Sequence, residues 1–598
     1  MPTANSFPAL YFPFRLVIFY LFGLLFWRML FIYFNDVSEI VPVIGAAFRL
    51  DFSMICGAFL LGYIPFILFH IFGKVFWVKV TRIIHCIVWA FVSIVEFSSI
   101  LLYKEWGSTL DNRAISYISH PQEAWASVRD FIPLEVIFFG LLILVAGMKR
   151  LWDLFESWTP TRSHYFQSVT WLVLVGPLAF LGLRGGWQKL PIVPSDAFYS
   201  GDMKNNFAAT NKVWYFLYSI KKSGNITTSS KGDDIKKFQE NYIKTACKTD
   251  SLGSPWKDKN IVLIIVEGWS ADMVGYLYSK ETITPFFDSL AQSSVQFTNA
   301  FSTGFRTDQG LMSILSGLPS IQSINMPDKL DKVLSFPSLA KAMKVSGRKT
   351  AFIYGGDLNF SNLYNYLTRI QFDSIIRDKD FDRQLRSTDW GVPDHLTVDK
   401  AIEIIDHQKD NFFSTLLLLS SHAPFEIPIP NKFTGIEGQA NQYKSSVMYS
   451  DMALRNFFKQ ASKRAWYNNT IFIITSDHGS THSGWAKMED HNRFRIPMII
   501  FDPSSSAISG QKITTPCNHF DLPLTICNMA GADGHAFKYS RDMFCGDVNQ
   551  YAYWNVDVAA GMYGLQDSTV ATIDKANSND SNQAALFLDM IKTWFNTL

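Results

Sequence analysis

The sequence predicts two architectures in one chain: an N-terminal bundle of five transmembrane helices, then an α/β doubly wound globular domain. Three observations carry this reading. Apolar segments crowd the first ~190 residues, each long enough for a bilayer core that needs roughly 20 helical residues per crossing. From Asn260 onward, short β-branched runs alternate with helical patterns, as in a largely parallel sheet covered by helices. The polar residues of that second region collect where the strands end. At 598 residues the chain exceeds one ordinary core. A net charge of +2 leaves no electrostatic footprint for a nucleic-acid partner.

The five apolar segments are 16–34, 52–73, 83–103, 131–148 and 165–183. The second and fifth contain no Asp, Glu, Lys or Arg, whereas Arg28, Glu96 and Glu135 interrupt the others and require pairing or snorkelling. A cleavable signal peptide is shorter and is not followed by four more spans, so the first segment reads as retained. The loops 74–82 and 149–164 carry Lys74, Lys79, Arg82, Lys149, Arg150 and Arg162. The longer loops 35–51 and 104–130 are sparser in cations, so the positive-inside rule puts the first pair in the cytoplasm. Five crossings then place everything after Leu183 outside the cytoplasm, in a multi-pass protein of the cell membrane.

The expected organisation is a transmembrane domain over 1–190, an interfacial segment and linker over 191–258, and an extracytoplasmic catalytic domain over 259–598. Cys56 and Cys86 fall in or beside spans. Cys247, Cys517, Cys527 and Cys545 lie in the outer region, where disulfides are permitted; three pairings or four free thiols fit the sequence equally.

In the outer region, 260–266, 350–354, 412–419, 470–475 and 496–501 read as buried strands. Helical patterns at 284–294, 308–316, 336–345, 396–408 and 443–464 separate them. Functional residues in such sheets sit beyond the carboxyl ends of the strands. Here the strand at 260–266 runs into Glu267-Gly268-Trp269-Ser270, and that at 470–475 into Ser476-Asp477-His478-Gly479. The strand at 412–419 runs into Ser420-Ser421-His422, and that at 350–354 into Gly355-Gly356-Asp357. Taken singly, a strand-terminal acid is a turn or cap residue; together, hard carboxylates and an imidazole form a ligand set for Zn²⁺ or Mn²⁺. Thr307, in Arg306-Thr307-Asp308-Gln309-Gly310, is placed at the N-cap of the 308–316 helix. The same position offers a nucleophilic hydroxyl beside free N–H groups that stabilise a phosphoryl anion, with Arg306 to neutralise charge.

Glu267, Thr307 forty residues later, and Asp477-His478-Gly479 resemble the lipoteichoic acid synthase/phosphoglycerol transferase branch of the alkaline phosphatase/sulfatase superfamily. Thr284-Pro285-Phe286-Phe287 and Ser313-Ile314-Leu315-Ser316-Gly317-Leu318-Pro319 also resemble that branch, and the resemblance extends over nearly the whole chain. It implies a sulfatase-like domain and one divalent metal ion, Mn²⁺ or Zn²⁺, held by Glu267, Thr307, Asp477 and His478, with room for a second metal. It implies a phospho-threonine on Thr307 and transfer of a phospholipid head group to a glycan or lipid-linked acceptor at the bilayer. His422 matches the histidine that contacts substrate phosphate in that branch, and Asp357 and Asn362 fall in the head-group pocket. His482 and His491 are candidates for an outer shell.

Two departures bear on substrate. Thr307-Asp308-Gln309-Gly310 lacks the Cys/Ser-x-Pro/Ala-x-Arg setting that sulfate-ester hydrolysis needs. Ser361 and Leu363 replace the Trp and Arg that flank the asparagine in phosphoglycerol polymerases. Phosphoglycerol transfer is therefore the expectation, with phosphoethanolamine transfer as the alternative. An inactive sulfatase-like sensor or assembly protein is the alternative of another class.

Overall fold

A computed structural model describes residues 8–106, 109–110, 134–156, 171–188, 191–200, 203–222, 230–245, 255–321, 324, 326–329, 332–408, 411–434, 438–485, 490–505, 508–545, 551–556, 559–564, 568–572 and 581–598. The starts of the fourth and fifth apolar segments, most of the 104–130 loop and Cys247 lie outside these residues. The chain divides into two compact units, residues 1–223 with 329–331, and residues 224–328 with 332–598.

The first unit is helical: Pro8–Phe34, Ile40–Phe72, Val75–Trp106, Leu134–Glu156, and a π-helical turn Trp171–Val175 that runs into Gly176–Arg184. Among the described residues, three stretches, Phe14–Phe34, Ile40–Phe69 and Val75–Tyr103, are long and apolar enough to cross a membrane. The segment Val173–Arg184 is a shorter apolar helix. The charges inside these helices are paired within the unit. Arg28 reaches both oxygens of Asp51 at 2.7 Å, and Asn211 donates to the same carboxylate at 2.9 Å. Glu96 accepts the backbone N–H of Lys212, whose ammonium donates to the carbonyls of Ala208 and Thr210 and lies over the Phe31 ring. Two cations and two carboxylates thus neutralise one another, which makes charge tolerable in an apolar bundle. Helices Met203–Ala209 and Lys212–Lys222 belong to this unit, with Phe207, Ala208 and Ala209 fully enclosed.

The second unit is built on a sheet whose strands are β1 (Asn260–Val266), β2 (Val295–Phe297), β4 (Lys349–Tyr354), β5 (Ser374–Ile376), β6 (Phe412–Leu417), β7 (Thr470–Ser476), β8 (Met498–Phe501) and β9 (Lys512–Ile513). Their order is β5-β4-β6-β1-β7-β8-β2-β9. The strands β4, β6, β1 and β7 are parallel, as the sequence predicts, and β5, which the sequence reading did not single out, joins them in parallel. The doubly wound expectation is corrected at the far edge: β8 runs antiparallel to both β7 and β2, so the sheet is mixed. A buried apolar run such as Met498–Phe501 has the same composition whichever way it points, so sequence carries no signal for its direction. The short strand β3 (Ala300–Phe301) pairs with β10 (Cys517–Asn518), and β11 (Tyr551–Val556), β12 (Ala559–Gly564) and β13 (Ser568–Thr572) form an antiparallel sheet.

Every residue of β1, β6 and β7 is buried, because helices cover both faces. The amphipathic stretch before β1 forms the helix Gly232–Thr245 and packs on the last helix, Ser581–Thr597, with Tyr242 and Phe587 ring centroids 5.5 Å apart. Cys517 and Cys527 are free and buried, and Cys545 is disulfide-bonded.

Candidate active site

The site is set by strand register. Val266 of β1 pairs with Ser476 of β7, so the next residues, Glu267 and Asp477, leave the sheet side by side. Adjacent strands lie about 4.8 Å apart, a spacing that lets two carboxylates share one ligand. Ser476 ties the two strand ends together: its hydroxyl donates to the Val266 carbonyl at 3.0 Å and accepts from Trp269 N–H at 2.7 Å. Gly268 turns the chain away from β1 with φ of +62°, a conformation that costs glycine nothing.

Ligand atoms of Glu267, Asp477 and His478 all lie within 4.8 Å of one another. His478 Nδ1 donates to the Gly479 carbonyl at 2.9 Å, which leaves Nε2 facing Glu267 Oε1 at 3.3 Å and Asp477 Oδ2 at 3.5 Å. Asp477 Oδ1 accepts from the N–H groups of Gly268 and His478, but Oδ2 is buried with no hydrogen-bond partner. A buried carboxylate oxygen left open among a second carboxylate and an imidazole nitrogen fits a divalent cation, and the donor set suits one. Burial and the charge of Glu267 push the Asp477 carboxyl well above its usual range. Burial works against ionised Glu267, but the hydrogen bond and charge of His478 outweigh it and hold Glu267 below the usual carboxylate range. Burial likewise opposes a charged His478, yet the two carboxylates raise it to about 10. The three groups are thus strongly coupled, with the imidazole offsetting the charge of the carboxylates.

The helix Thr307–Ser316 brings the hydroxyl. Thr307 is its first residue rather than its cap, and Arg306 takes the cap position with extended backbone. Thr307 Oγ1 donates to Glu267 Oε2 at 3.2 Å. Gly310 allows this approach, because a Cβ there would overlap the Asp477 backbone carbonyl. His519, fully buried, is pushed down to about 3 by burial and donates through Nε2 to the Ser476 carbonyl at 2.8 Å, which braces the β7 end from below.

The other sequence-predicted residues take separate places. Arg306 turns to Asp308 at 3.2 Å and to the Ile324 carbonyl. His422 donates through Nδ1 to the Ala423 carbonyl at 2.8 Å. Asp357 is exposed and accepts from Asn359 N–H, while Asn362 is buried and donates to the Pro327 carbonyl at 3.0 Å. His482 packs edge-on against Phe425, and His491 stacks on Tyr563; neither joins the ligand group. Sequence reasoning missed Trp390, whose indole lies against the His422 imidazole with centroids 3.8 Å apart. It sits in an irregular loop with no periodicity to single it out.

Residues 259–532 match the family described as Sulfatase. The chain is 21% identical to lipoteichoic acid synthase-like YvgJ of Bacillus subtilis (strain 168), over 50% of this chain and 51% of that protein. It is 21% identical to lipoteichoic acid synthase 1 of the same organism, over 75% of this chain and 73% of that one. It thus spans about half the length of the first relative and nearly three quarters of the second. Among solved structures, an alkaline phosphatase superfamily protein from Vibrio parahaemolyticus shares the fold, with a TM-score of 0.53, 24% identity and coverage of 62% of this chain and 97% of that one. The lipoteichoic acid synthase LtaP from Listeria monocytogenes shares it too, with a TM-score of 0.50, 18% identity and coverage of 61% and 97%.

Proposed function

We propose that this protein is a membrane-bound phosphotransferase that moves the phosphoglycerol head group of a phospholipid onto a glycan or lipid-linked hydroxyl outside the cytoplasm. The observation that carries the reading is Thr307 Oγ1 at 3.2 Å from Glu267, beside the carboxylate–imidazole group of Asp477 and His478. Similarity to lipoteichoic acid synthases supports the substrate class. The five apolar segments, three of them helices of membrane-spanning length and composition, support a multi-pass anchor that keeps the site near its lipid donor.

A divalent ion, Mn²⁺ or Zn²⁺, held by Glu267, Thr307, Asp477 and His478, would lower the pKa of the threonine hydroxyl and offset phosphoryl charge. Thr307 Oγ gives up its proton to water and forms a bond to phosphorus. The bond from phosphorus to the diacylglycerol oxygen breaks, and that oxygen takes a proton from water or from His422. The acceptor hydroxyl then bonds to phosphorus and loses its proton as the phosphorus–Oγ bond breaks, and Thr307 Oγ is reprotonated. The N–H groups at the start of the Thr307–Ser316 helix and the Arg306 guanidinium stabilise the phosphoryl oxygens throughout.

The test is mass spectrometry of the Thr307 peptide after incubation of the purified, membrane-embedded protein with Mn²⁺ or Zn²⁺ and phosphatidylglycerol. A phosphoglycerol increment on Thr307, absent from Thr307→Ala, is the expected result. A phosphoethanolamine increment from mixed lipid would replace the head group and keep the mechanism. Full transferase activity in Thr307→Ala would refute the mechanism.

A further inference from the structure

The helical unit holds a groove that the chemistry above does not use. It lies between the helices Pro8–Phe34 and Leu134–Glu156 and has a volume of about 870 Å³. Trp89, from the helix Val75–Trp106 and 1% exposed, forms its floor. Glycine on both walls makes room for that indole: a Cβ at Gly23 or at Gly147 would overlap the Trp89 ring. The indole thus sits between the two outer helices, and the space above it is open. Phe22, Phe26, Leu142 and Ala146 line that space with exposed apolar side chains, and Arg15 and Arg150, both exposed, line it as well. Asp153 is the single carboxylate among the described residues of the lining.

Gly23 meets Gly147 across the Trp89 ring, and Gly140 lies against Trp27. The two helices therefore run antiparallel, and Arg15 and Arg150 fall at the same end of the groove. At 1.5 Å per residue, the walls rise about 16 Å from Arg15 to Phe26 and about 12 Å from Arg150 back to Leu142. That is roughly half of the ~30 Å hydrocarbon core of a bilayer. The groove is one leaflet deep, with cations where lipid phosphates lie. A spanning helix of a partner would need the full thickness. A second copy docked by two-fold symmetry would set the same arginines against each other. An anionic phospholipid meets both conditions: its acyl chain covers the apolar walls and its phosphate lies between the guanidiniums. Basic pockets between membrane helices on the cytoplasmic side hold anionic head groups in this way. The positive-inside rule places the Arg15–Arg150 end on that side, beside Lys149.

We propose that this groove is a binding site for an anionic phospholipid of the cytoplasmic leaflet, held by its phosphate at Arg15 and Arg150. The site goes beyond the transferase reading and does not rest on it. Full-length protein in nanodiscs receives a trace of phosphatidylserine or phosphatidylcholine with a photoactivatable acyl chain, and adducts are mapped by mass spectrometry. Phosphatidylserine serves as the anionic probe because phosphoglycerol transfer does not consume it. It should label the two walls, Pro8–Phe34 and Leu134–Glu156, at least fivefold more than phosphatidylcholine does, since each basic residue at a membrane surface is worth about fivefold. The double substitution Arg15→Gln with Arg150→Gln should bring the two probes level. Ala146→Trp, which fills the groove from an exposed position and leaves both arginines in place, should remove labelling of the walls. Labelling of Ile40–Phe72 should stay within twofold in every variant. Equal labelling by both probes in the wild type overturns the site, as does an unchanged preference in the double variant. So does wild-type protein without groove labelling; if native mass spectrometry then shows a dimer, a second copy is the occupant.

Discussion

The indole nitrogen of Trp390 and the Nδ1 of His422 donate to one and the same acceptor, the Ala423 carbonyl, at 2.7 and 2.8 Å. The shared oxygen locks the imidazole with its proton on Nδ1 and leaves Nε2 free, and the indole packs against the ring at an interplanar angle of 47°. Phe360 packs edge-on against Trp390 with centroids 5.2 Å apart, so the indole is held by packing as well as by its hydrogen bond.

Trp390 is accordingly a positioning residue for His422. Trp390→Ala should lower kcat about 10- to 100-fold, since displacement of a catalytic group by about 1 Å costs that order. Trp390→Phe, which keeps an aromatic ring against the imidazole and loses the hydrogen bond, should fall between it and wild type. Metal content should be unchanged in both. If Trp390→Ala keeps wild-type kcat with phosphatidylglycerol, His422 does not depend on that wall.

Gly310 tests how closely the nucleophile's helix must approach β7. A methyl group there meets the Asp477 carbonyl, part of the backbone and unable to swing aside. Gly310→Ala should cost about 1–3 kcal/mol of stability, as overpacking does. It should also abolish adduct formation on Thr307 while Glu267, Asp477 and His478 still retain metal. Calorimetry and adduct mass together check this; normal adduct formation would show that the helix can shift without loss.

Asp451 makes stability depend on pH. Its carboxylate accepts the N–H groups of Phe286 and Phe287 at 3.0 and 2.8 Å, at the start of the helix Pro285–Gln292. Burial outweighs those bonds and pushes its pKa up to about 7. A carboxyl with a higher pKa in the fold than in the unfolded chain makes the folded state the better proton binder. Its contribution to stability therefore falls as pH climbs from about 4 through 7. Asp451→Asn cannot ionise and keeps an oxygen for only one of the two N–H groups, so the comparison is of the pH dependence and not of the overall stability. The drop in melting temperature between pH 5 and pH 7.5 should be smaller in the variant, and an equal drop in both proteins refutes the assignment.

The residues legible in the sequence share one property. Glu267, Asp477 and His478 immediately follow apolar β-branched runs, so the strand pattern that locates the sheet also locates them. Thr307 was legible from the helix start beside it, to within one residue of its observed place. Trp390 was not, because it lies in irregular backbone and gains its meaning only from a neighbour distant in sequence, His422. The same holds in the helical unit. Arg28 stood out in the sequence as a charge needing a partner, but that partner, Asp51, lies 23 residues away on the next helix, and only the packing of the two helices identifies it.

The pairing of Val266 with Ser476 has an evolutionary consequence. Glu267 and Asp477 owe their spacing to a backbone ladder, and the first residues after it, Gly268 and Trp269, tie the two strand ends together. The residues that flank them, such as Trp390 and His422, come from segments outside that ladder. On the transferase reading, chemistry and substrate choice then rest on different parts of the chain. A lineage can keep the first unaltered while it explores new donors and acceptors with the second.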